Sequence, residues 1–381
     1  MRLISLLQPK KLSVGAGALD LFADDFLAAK YKSLAVLTAP PIVPLLDAML
    51  NKLKQQGVAV TLIDSILREP TIADLNRVLA LAEKAKADSV AGIGGGSVLD
   101  LAKLVAAKIG NPQPVREMFG TGLVKSRNTY LACIPTTSGT GSEVSPNAIL
   151  LDETDSMKKG IVSPFLVPDA AYVDPLLTLG LPPKFTAETG LDALCHCLEA
   201  YTNKFAHPVI DVYALEGIRL IGKNLLAAVK DGKNVEARTN LSLGSLYGGL
   251  CLGPVNTSAI HALSYPLGGE FHIAHGLANA ILLPEVFAFN IDANPRKHAD
   301  IAVAIGVERT GSDLEVATKG VETLRQLVRD CGIPAKLTDL GVAPSMLDKL
   351  AENALTVQRL LKNNPKELRL EDAKKIYRSL F

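Results

Sequence analysis

The chain has 381 residues, 48% hydrophobic and 21% charged, so it can fill more than one sizeable core, with two or three domains as the prior from length. Forty Lys and Arg stand against 39 Asp and Glu, and Trp is absent, which leaves neither a basic field nor a base-stacking platform for nucleic acid. The opening run MRLISLLQPKKL is too short in apolar residues for a secretory signal, no later run is long enough to span a bilayer, and five irregularly spaced cysteines make no disulfide framework; the expectation is a reduced, cytoplasmic protein without a membrane partner.

In chain order, SLAVLT (33–38), VAVTLI (58–63), SVAGI (89–93) and YLACI (130–134) read as buried strands. Between them TIADLNRVLALAEKAKA carries helical periodicity with Thr71 as its cap. This alternation predicts parallel strands with crossover helices. DPLLTLGLPPKF (174–185) contains the Pro-Pro break of a boundary, and the patterns beyond it are helical: TAETGLDALCHCLEAYTN, VIDVYALEGIRLIGKNLLAAVK, DLEVATKGVETLRQLVRD and LRLEDAKKIYRSLF. The expected architecture is an α/β domain over 1–181, with a Rossmann-like parallel sheet, followed by an all-α domain over 182–381. A cleft between two such domains is a common place for cofactor and substrate to meet.

The strand ending at Ile93 runs into Gly94, Gly95 and Gly96, and a helix opens at about Ser97. Glycines permit close backbone approach, and a helix N-terminus offers free N–H groups to phosphate oxygens. The match to G-x-G-x-x-G is poor, since Ser97 takes the place of the third glycine, and a plain strand-to-helix turn is the mundane alternative. A second loop, IPTTSGTGSEVS (134–145), follows another strand and offers several hydroxyls; two such loops on one carboxyl edge point to a nucleotide site. No G-K-[ST] is present, which disfavours an ATP-hydrolysing P-loop.

In GLDALCHCLEAY, Asp192 and His196 lie four residues apart and share a helix face, so both can reach one cation. His261 and His275 are the natural remaining ligands. On one straight helix their Cα atoms would be about 21 Å apart, so the chain must fold back between them, with Pro266, Gly268 and Gly269 as the expected break. Three imidazoles and a carboxylate suit Fe(II) or Zn(II) rather than Mg or Ca. Cys195 and Cys197 flank His196 but point elsewhere, at about 100° per residue, and read as small core positions. His207 and His298 read as surface, and His272 as either cleft-facing or capping a helix start.

Together GGGSVLDLAK, PTTSGTGSEVS, PDAAYVDP, TGLDALCHCLEAY and HALSYPLGGEFHIAHGLANAILLP resemble the iron-containing, or group III, alcohol dehydrogenase family, in order and spacing over most of the chain. The resemblance implies an N-terminal nucleotide-binding domain, a helical C-terminal domain, and a divalent ion on Asp192, His196, His261 and His275. It implies that Gly94, Gly95, Gly96 and Ser97 hold the pyrophosphate of NAD or NADP, that Thr136, Thr137 and Thr140 line the cofactor site, and that Lys159 lies near the ribose. It also implies a dimer or larger homo-oligomer.

Two departures stand out. Many members carry Asp shortly after the first strand, beside the adenosine ribose, where this chain has Ala39. Many carry His one turn after the third metal ligand, where this chain has Tyr265, and the YP pair is similar to the hydroxyacid–oxoacid transhydrogenase branch. Tyr265 is expected on the metal-facing side with its hydroxyl donating to substrate, or else with its ring in the core and its hydroxyl on a backbone carbonyl. A free phenol titrates near 10, so proton release is expected through water or His272. The activity read from all this is hydride transfer between NAD(P) and a small alcohol or aldehyde, the metal acting as Lewis acid. A dehydroquinate-synthase-type lyase would require an Arg cluster near the metal motifs that the helical half does not show, and a non-catalytic nucleotide binder would not retain a full ligand set.

Overall fold

The computed structural model describes residues 2–66, 69–154 and 157–381. In the first half of the chain the elements are β1 (Lys11–Val14), α1 (Ala18–Ala29), β2 (Ser33–Thr38), α2 (Val43–Gln55), β3 (Ala59–Ile63), α3 (Ile72–Lys84), β4 (Ser89–Gly94), α4 (Gly96–Lys108), β5 (Gly120–Thr121), β6 (Tyr130–Pro135), β7 (Asn147–Asp152), β8 (Met157–Val162) and β9 (Ala170–Val173). Ten α-helices follow among the described residues: α5 (Pro183–Thr202), α6 (Pro208–Lys230), α7 (Val235–Leu252), α8 (Ala259–Phe271), α9 (His275–Asn290), α10 (Pro295–Ala304), α11 (Asp313–Asp330), α12 (Leu347–Leu355), α13 (Gln358–Leu361) and α14 (Leu370–Arg378). The chain forms two compact units, one of Leu6–Thr137 with Gly141–Gly180, the other chiefly of Leu181–Phe381 with Ser138–Thr140 and the N-terminal residues to Ser5.

The α/β unit is built on a six-stranded sheet, order β1-β9-β6-β4-β2-β3, with every pairing parallel. Its strands are apolar on both faces because both faces are covered. Helices α3 and α4 pack on one side, burying Leu75, Val78, Leu101 and Val105, and α1 and α2 on the other, burying Phe22, Phe26, Leu46 and Leu53. Thr71 caps α3 through a capping box with Asp74, as its position in the sequence predicts. The short strands β1 and β9, and a small sheet β5-β8-β7, are additions that hydrophobic runs alone do not announce.

Strand order reverses between β2 and β4, since β3 lies beyond β2 on one side and β6 beyond β4 on the other. The crevice at the carboxyl ends of such a pair is where open parallel sheets receive ligands. Ala39 follows β2 there, and the glycine loop follows β4. The loop after β6 is pinned to α4 by two ionisable side chains, buried Lys103 and half-buried Asp100. Lys103 Nζ donates to the carbonyls of Ser145 (2.9 Å) and Asn147 (2.8 Å), and Asp100 accepts from Ser142 Oγ (2.6 Å) and the Ile149 amide (2.9 Å). Burial pushes the Asp100 carboxyl up and the Lys103 ammonium down, and each partly restores the other.

In the helical unit α5 is buried from Gly190 to Thr202, and glycines let its neighbours approach. A Cβ on Gly217 would come within 2.5 Å of Cys197 Sγ, and one on Gly276 within 2.3 Å of the Glu188 carbonyl oxygen. The second contact seats the first turn of α9 directly on the backbone of α5. From the far end, Tyr377 on α14 donates its hydroxyl to the Leu263 carbonyl of α8 at 2.5 Å. Among the described residues no helix is long and apolar enough to cross a membrane.

Candidate active site

Asp192 and His196 sit one turn apart on α5, His261 on the first turn of α8 and His275 at the first position of α9. One ligand atom from each lies within 4.8 Å of all the others. The Nε2 atoms of His196, His261 and His275 stand 3.8, 3.6 and 3.6 Å from Asp192 Oδ1. A tetrahedral site with bonds of about 2.1 Å has ligand–ligand edges of about 3.4 Å, so the four atoms have the spacing of a first-row divalent ion's ligands. The donor set, three nitrogens and one carboxylate oxygen, fits Fe(II) or Zn(II).

The fold-back between His261 and His275 is present, but not where the glycines and proline predict it. Helix α8 runs through Pro266, Gly268 and Gly269 and ends at His272, which adopts a left-handed conformation (φ 55°) and donates its amide to the Leu267 carbonyl. Buried Leu263 and Leu267 flank Pro266, so packing holds the helix across one missing hydrogen bond. His272 therefore caps a helix end, not a helix start, and is exposed.

Two residues that motif reading missed complete the site. Glu199, buried on α5 seven residues after Asp192, accepts from His261 Nδ1 (2.5 Å), the Ile260 amide (2.7 Å) and Ser258 Oγ (3.0 Å). It thereby commits Nδ1 of His261 as the donor to Glu199 and leaves Nε2 as the atom facing the cluster, able to bind a cation that displaces its proton. Asn279, one turn after His275, holds Nδ2 at 2.7 Å from Asp192 Oδ1, 3.1 Å from His261 Nε2 and 3.2 Å from His275 Nε2. Helical spacing was the available signal for both, since 192, 196 and 199 share a face, as do 275 and 279.

Burial opposes ionisation of Asp192, but the three imidazoles outweigh it and hold its carboxyl well below the usual range. Burial lowers His196 despite Asp192, which favours the neutral ligand form. Burial would also lower His261, yet Glu199 and Asp192 raise it to about 9. Two carboxylates, Asp192 and Glu199, thus face the imidazoles, a balance suited to a cation.

Tyr265 projects from α8 beside this cluster, its ring centroid 6.4 Å from that of His275. Its hydroxyl accepts from Arg359 Nη2 at 2.9 Å rather than meeting a backbone carbonyl. Burial raises its phenol, with Arg359 opposing. Cys195 and Cys197 are fully buried, their thiols against the carbonyls of Asn279 and Gly244, and burial pushes Cys197 up to about 12. The surface reading of His207 and His298 is corrected: both are buried. His207 caps α6 by accepting the Val209 amide, and His298 packs on Phe287. Flanking proline and charge reported the chain's local polarity, not the inward face those histidines occupy.

In the α/β unit, Gly95 is the N-cap of α4 with no side-chain cap, so the first amides of α4 are available to an anion. Ser97 lies in that first turn. Gly94 has a packing reason as well, since a Cβ there would lie 2.7 Å from Val98 Cβ. Thr136 donates its amide to the Gly94 carbonyl, which joins the two loops at one sheet edge, and Thr137 borders Gly95. Thr140 belongs to the helical unit. Lys159 on β8 binds Asp152 (2.9 Å) and stands over the Phe119 ring.

Residues 9–175 match the family described as iron-containing alcohol dehydrogenase, and residues 186–381 match the Fe-containing alcohol dehydrogenase family, C-terminal. The chain belongs to the iron-containing alcohol dehydrogenase family. Long-chain-alcohol dehydrogenase 1 of Geobacillus thermodenitrificans is 38% identical over 387 aligned positions, covering 100% of this chain and 98% of its own. The crystal structure of a 1,3-propanediol oxidoreductase superposes with a TM-score of 0.96 at 33% identity, covering 100% of both chains. That of sulfoacetaldehyde reductase from Bifidobacterium kashiwanohense in complex with NAD+ superposes with a TM-score of 0.89 at 27% identity, covering 100% of this chain and 99% of that one. This iron-type alcohol dehydrogenase is accordingly a metal-dependent oxidoreductase of alcohols and aldehydes that uses a nicotinamide cofactor.

The tie between Glu199 and His261 generates a prediction. Glu199→Gln should lower metal affinity by about 10- to 100-fold, read as metal content after dialysis against a graded chelator. An unchanged metal content at every chelator concentration would show that His261 needs no carboxylate to orient it.

Proposed function

We propose that Asp192, His196, His261 and His275 hold one divalent ion, Fe(II) by family with Zn(II) equally suited to the ligands, and that the enzyme interconverts a small aldehyde and its primary alcohol. The convergence of these four ligand atoms within 4.8 Å carries the reading. When bound, the ion supplies Lewis acidity to the substrate oxygen and the nicotinamide exchanges the hydride, so that aldehyde, NAD(P)H and a proton balance alcohol and NAD(P)+. The chain's own residues do the rest. Glu199 and Asn279 orient the imidazoles and Asp192, which sets the position of the reacting oxygen. The Tyr265 phenol, raised by burial, donates a hydrogen bond and is no base at neutral pH. Proton exchange passes to water or to exposed His272.

The cofactor's pyrophosphate lies on the amides of Gly95, Gly96 and Ser97, with Gly94 allowing the close turn; Thr136, Thr137 and Thr140 line the site, and Lys159 stands near the ribose. The protein is cytoplasmic and a homo-oligomer, most simply a dimer. The edge strand β1, with Leu12 and Val14 exposed, supports that assembly. Light scattering that returned only the 40.4 kDa protomer would remove it.

Two outcomes are expected. Chelation, or His261→Ala, should abolish aldehyde reduction followed by NAD(P)H absorbance while nucleotide binding persists; a protein shown metal-free that keeps full activity would contradict the ligand assignment. A carboxylate beside the adenosine ribose repels a 2′-phosphate, and Ala39 does not, so NADP should be accepted beside NAD. Ala39→Asp should weaken NADP selectively, by roughly tenfold, one close like-charge contact being worth about 1 kcal/mol or more. Equal loss for both cofactors would count against placing residue 39 at the ribose.

A further inference from the structure

Resting on the oxidoreductase reading above, we infer that Arg359 and the Tyr265 hydroxyl together receive a carboxylate carried by the substrate, which makes short oxo-acids the preferred aldehydes. Helix α13 is only four residues long, and it delivers the Arg359 guanidinium to Tyr265 on α8. The guanidinium carbon lies 5.9 Å from the Tyr265 ring centroid, and that ring stands 6.4 Å from His275. A cation is thus placed one aromatic side chain away from the ligand cluster.

What distinguishes this arginine is that its partner stands beside the ligand cluster. Arg219, Arg309, Arg325 and Arg369 in the same unit each hold a carboxylate, and Arg329, which holds none among the described residues, binds Gln326 on its own helix. Arg359 is exposed, and among the described residues no carboxylate lies within ion-pair distance of it. Its recorded partner is a neutral phenol, which uses one N–H of Nη2. A guanidinium has five N–H donors in a planar fork, so the remaining donors can meet a planar carboxylate with two parallel hydrogen bonds. The phenol, accepting from Arg359, still has its proton to donate to the same anion. Arg359 therefore orders the hydroxyl and offers the counter-charge, while a neutral aldehyde leaves both unused. In this arrangement Arg359 sets specificity and does not touch the reacting carbon.

The test uses the metal-loaded full chain and compares 4-oxobutanoate with butanal, which have the same carbon count, in wild type, Arg359→Met and Arg359→Lys. Butyrate is titrated against butanal reduction, and its binding to each protein is measured by calorimetry. Wild type should favour 4-oxobutanoate in kcat/KM by about tenfold or more, and butyrate should compete with butanal. Arg359→Met should raise KM for 4-oxobutanoate about tenfold with little change in kcat, collapse the ratio between the two aldehydes, and lose butyrate competition; Arg359→Lys should recover part of each. A wild type with no preference, or an Arg359→Met protein whose ratio is unchanged, overturns the inference. Should wild type reduce neither aldehyde, the oxidoreductase reading fails, and the inference is decided by calorimetry alone: butyrate binding about tenfold weaker in Arg359→Met supports it, and equal binding overturns it.

Discussion

Three helices of the C-terminal unit are brought to one oxygen atom, Oδ1 of Asp192. Imidazole nitrogens from α5, α8 and α9 stand 3.6 to 3.8 Å from it, and the Asn279 amide at 2.7 Å. A buried carboxylate facing three imidazoles is costly without charge compensation. Much of the unit's construction follows from meeting that constraint. Glycines at 217 and 276 bring backbones close enough for the helices to converge, Glu199 fixes the orientation of one imidazole, and the left-handed turn at His272 returns the chain to start α9 at His275. The electrostatics follow from the same crowding, with His196 lowered by burial and His261 raised to about 9 by its two carboxylates.

The α/β unit meets a different constraint, that of approach. Its strands are buried on both faces, which leaves the carboxyl edge open to a ligand, and there Ala39, the glycine loop and the Thr136–Thr137 turn follow three adjacent strands. The glycines there do two jobs. Gly94 is small because α4 packs on it, whereas Gly95 exposes uncapped amides at the start of α4. Asp100 and buried Lys103 then tie the neighbouring loop to that helix through four hydrogen bonds.

Much of this was legible in the residues alone, for identifiable reasons. The parallel sheet is readable because doubly covered strands are continuous apolar runs, and α11 because DLEVATKGVETLRQLVRD keeps a helical period over Asp313–Asp330, to which the structure adds a Ser312 capping box. The four-residue offset of Asp192 and His196, and the need for a fold-back before His275, follow from helix geometry. The place of that fold-back does not. Pro266 and Gly269 carry the local breaking signal, but packing on both sides of Pro266 overrides it, and the helix ends instead at a histidine with no such signal. Likewise the burial of His207 and His298, and the meeting of Arg359 with Tyr265 across 94 residues, depend on tertiary contacts that no local pattern encodes. Short edge elements such as β1 and β9 escape for the same reason, being strands mainly through their neighbours.

The central claim is that a single ion is held by three imidazoles and one carboxylate on α5, α8 and α9. X-ray absorption at the metal K-edge of the loaded protein measures this most directly. The account predicts one ion per chain, with multiple-scattering features of three histidine rings, a light oxygen or nitrogen shell at about 2.0–2.2 Å, and no sulfur, because the flanking cysteines face away from the site. A sulfur shell near 2.3 Å, or a spectrum fitted by water and fewer than two imidazoles, would contradict it.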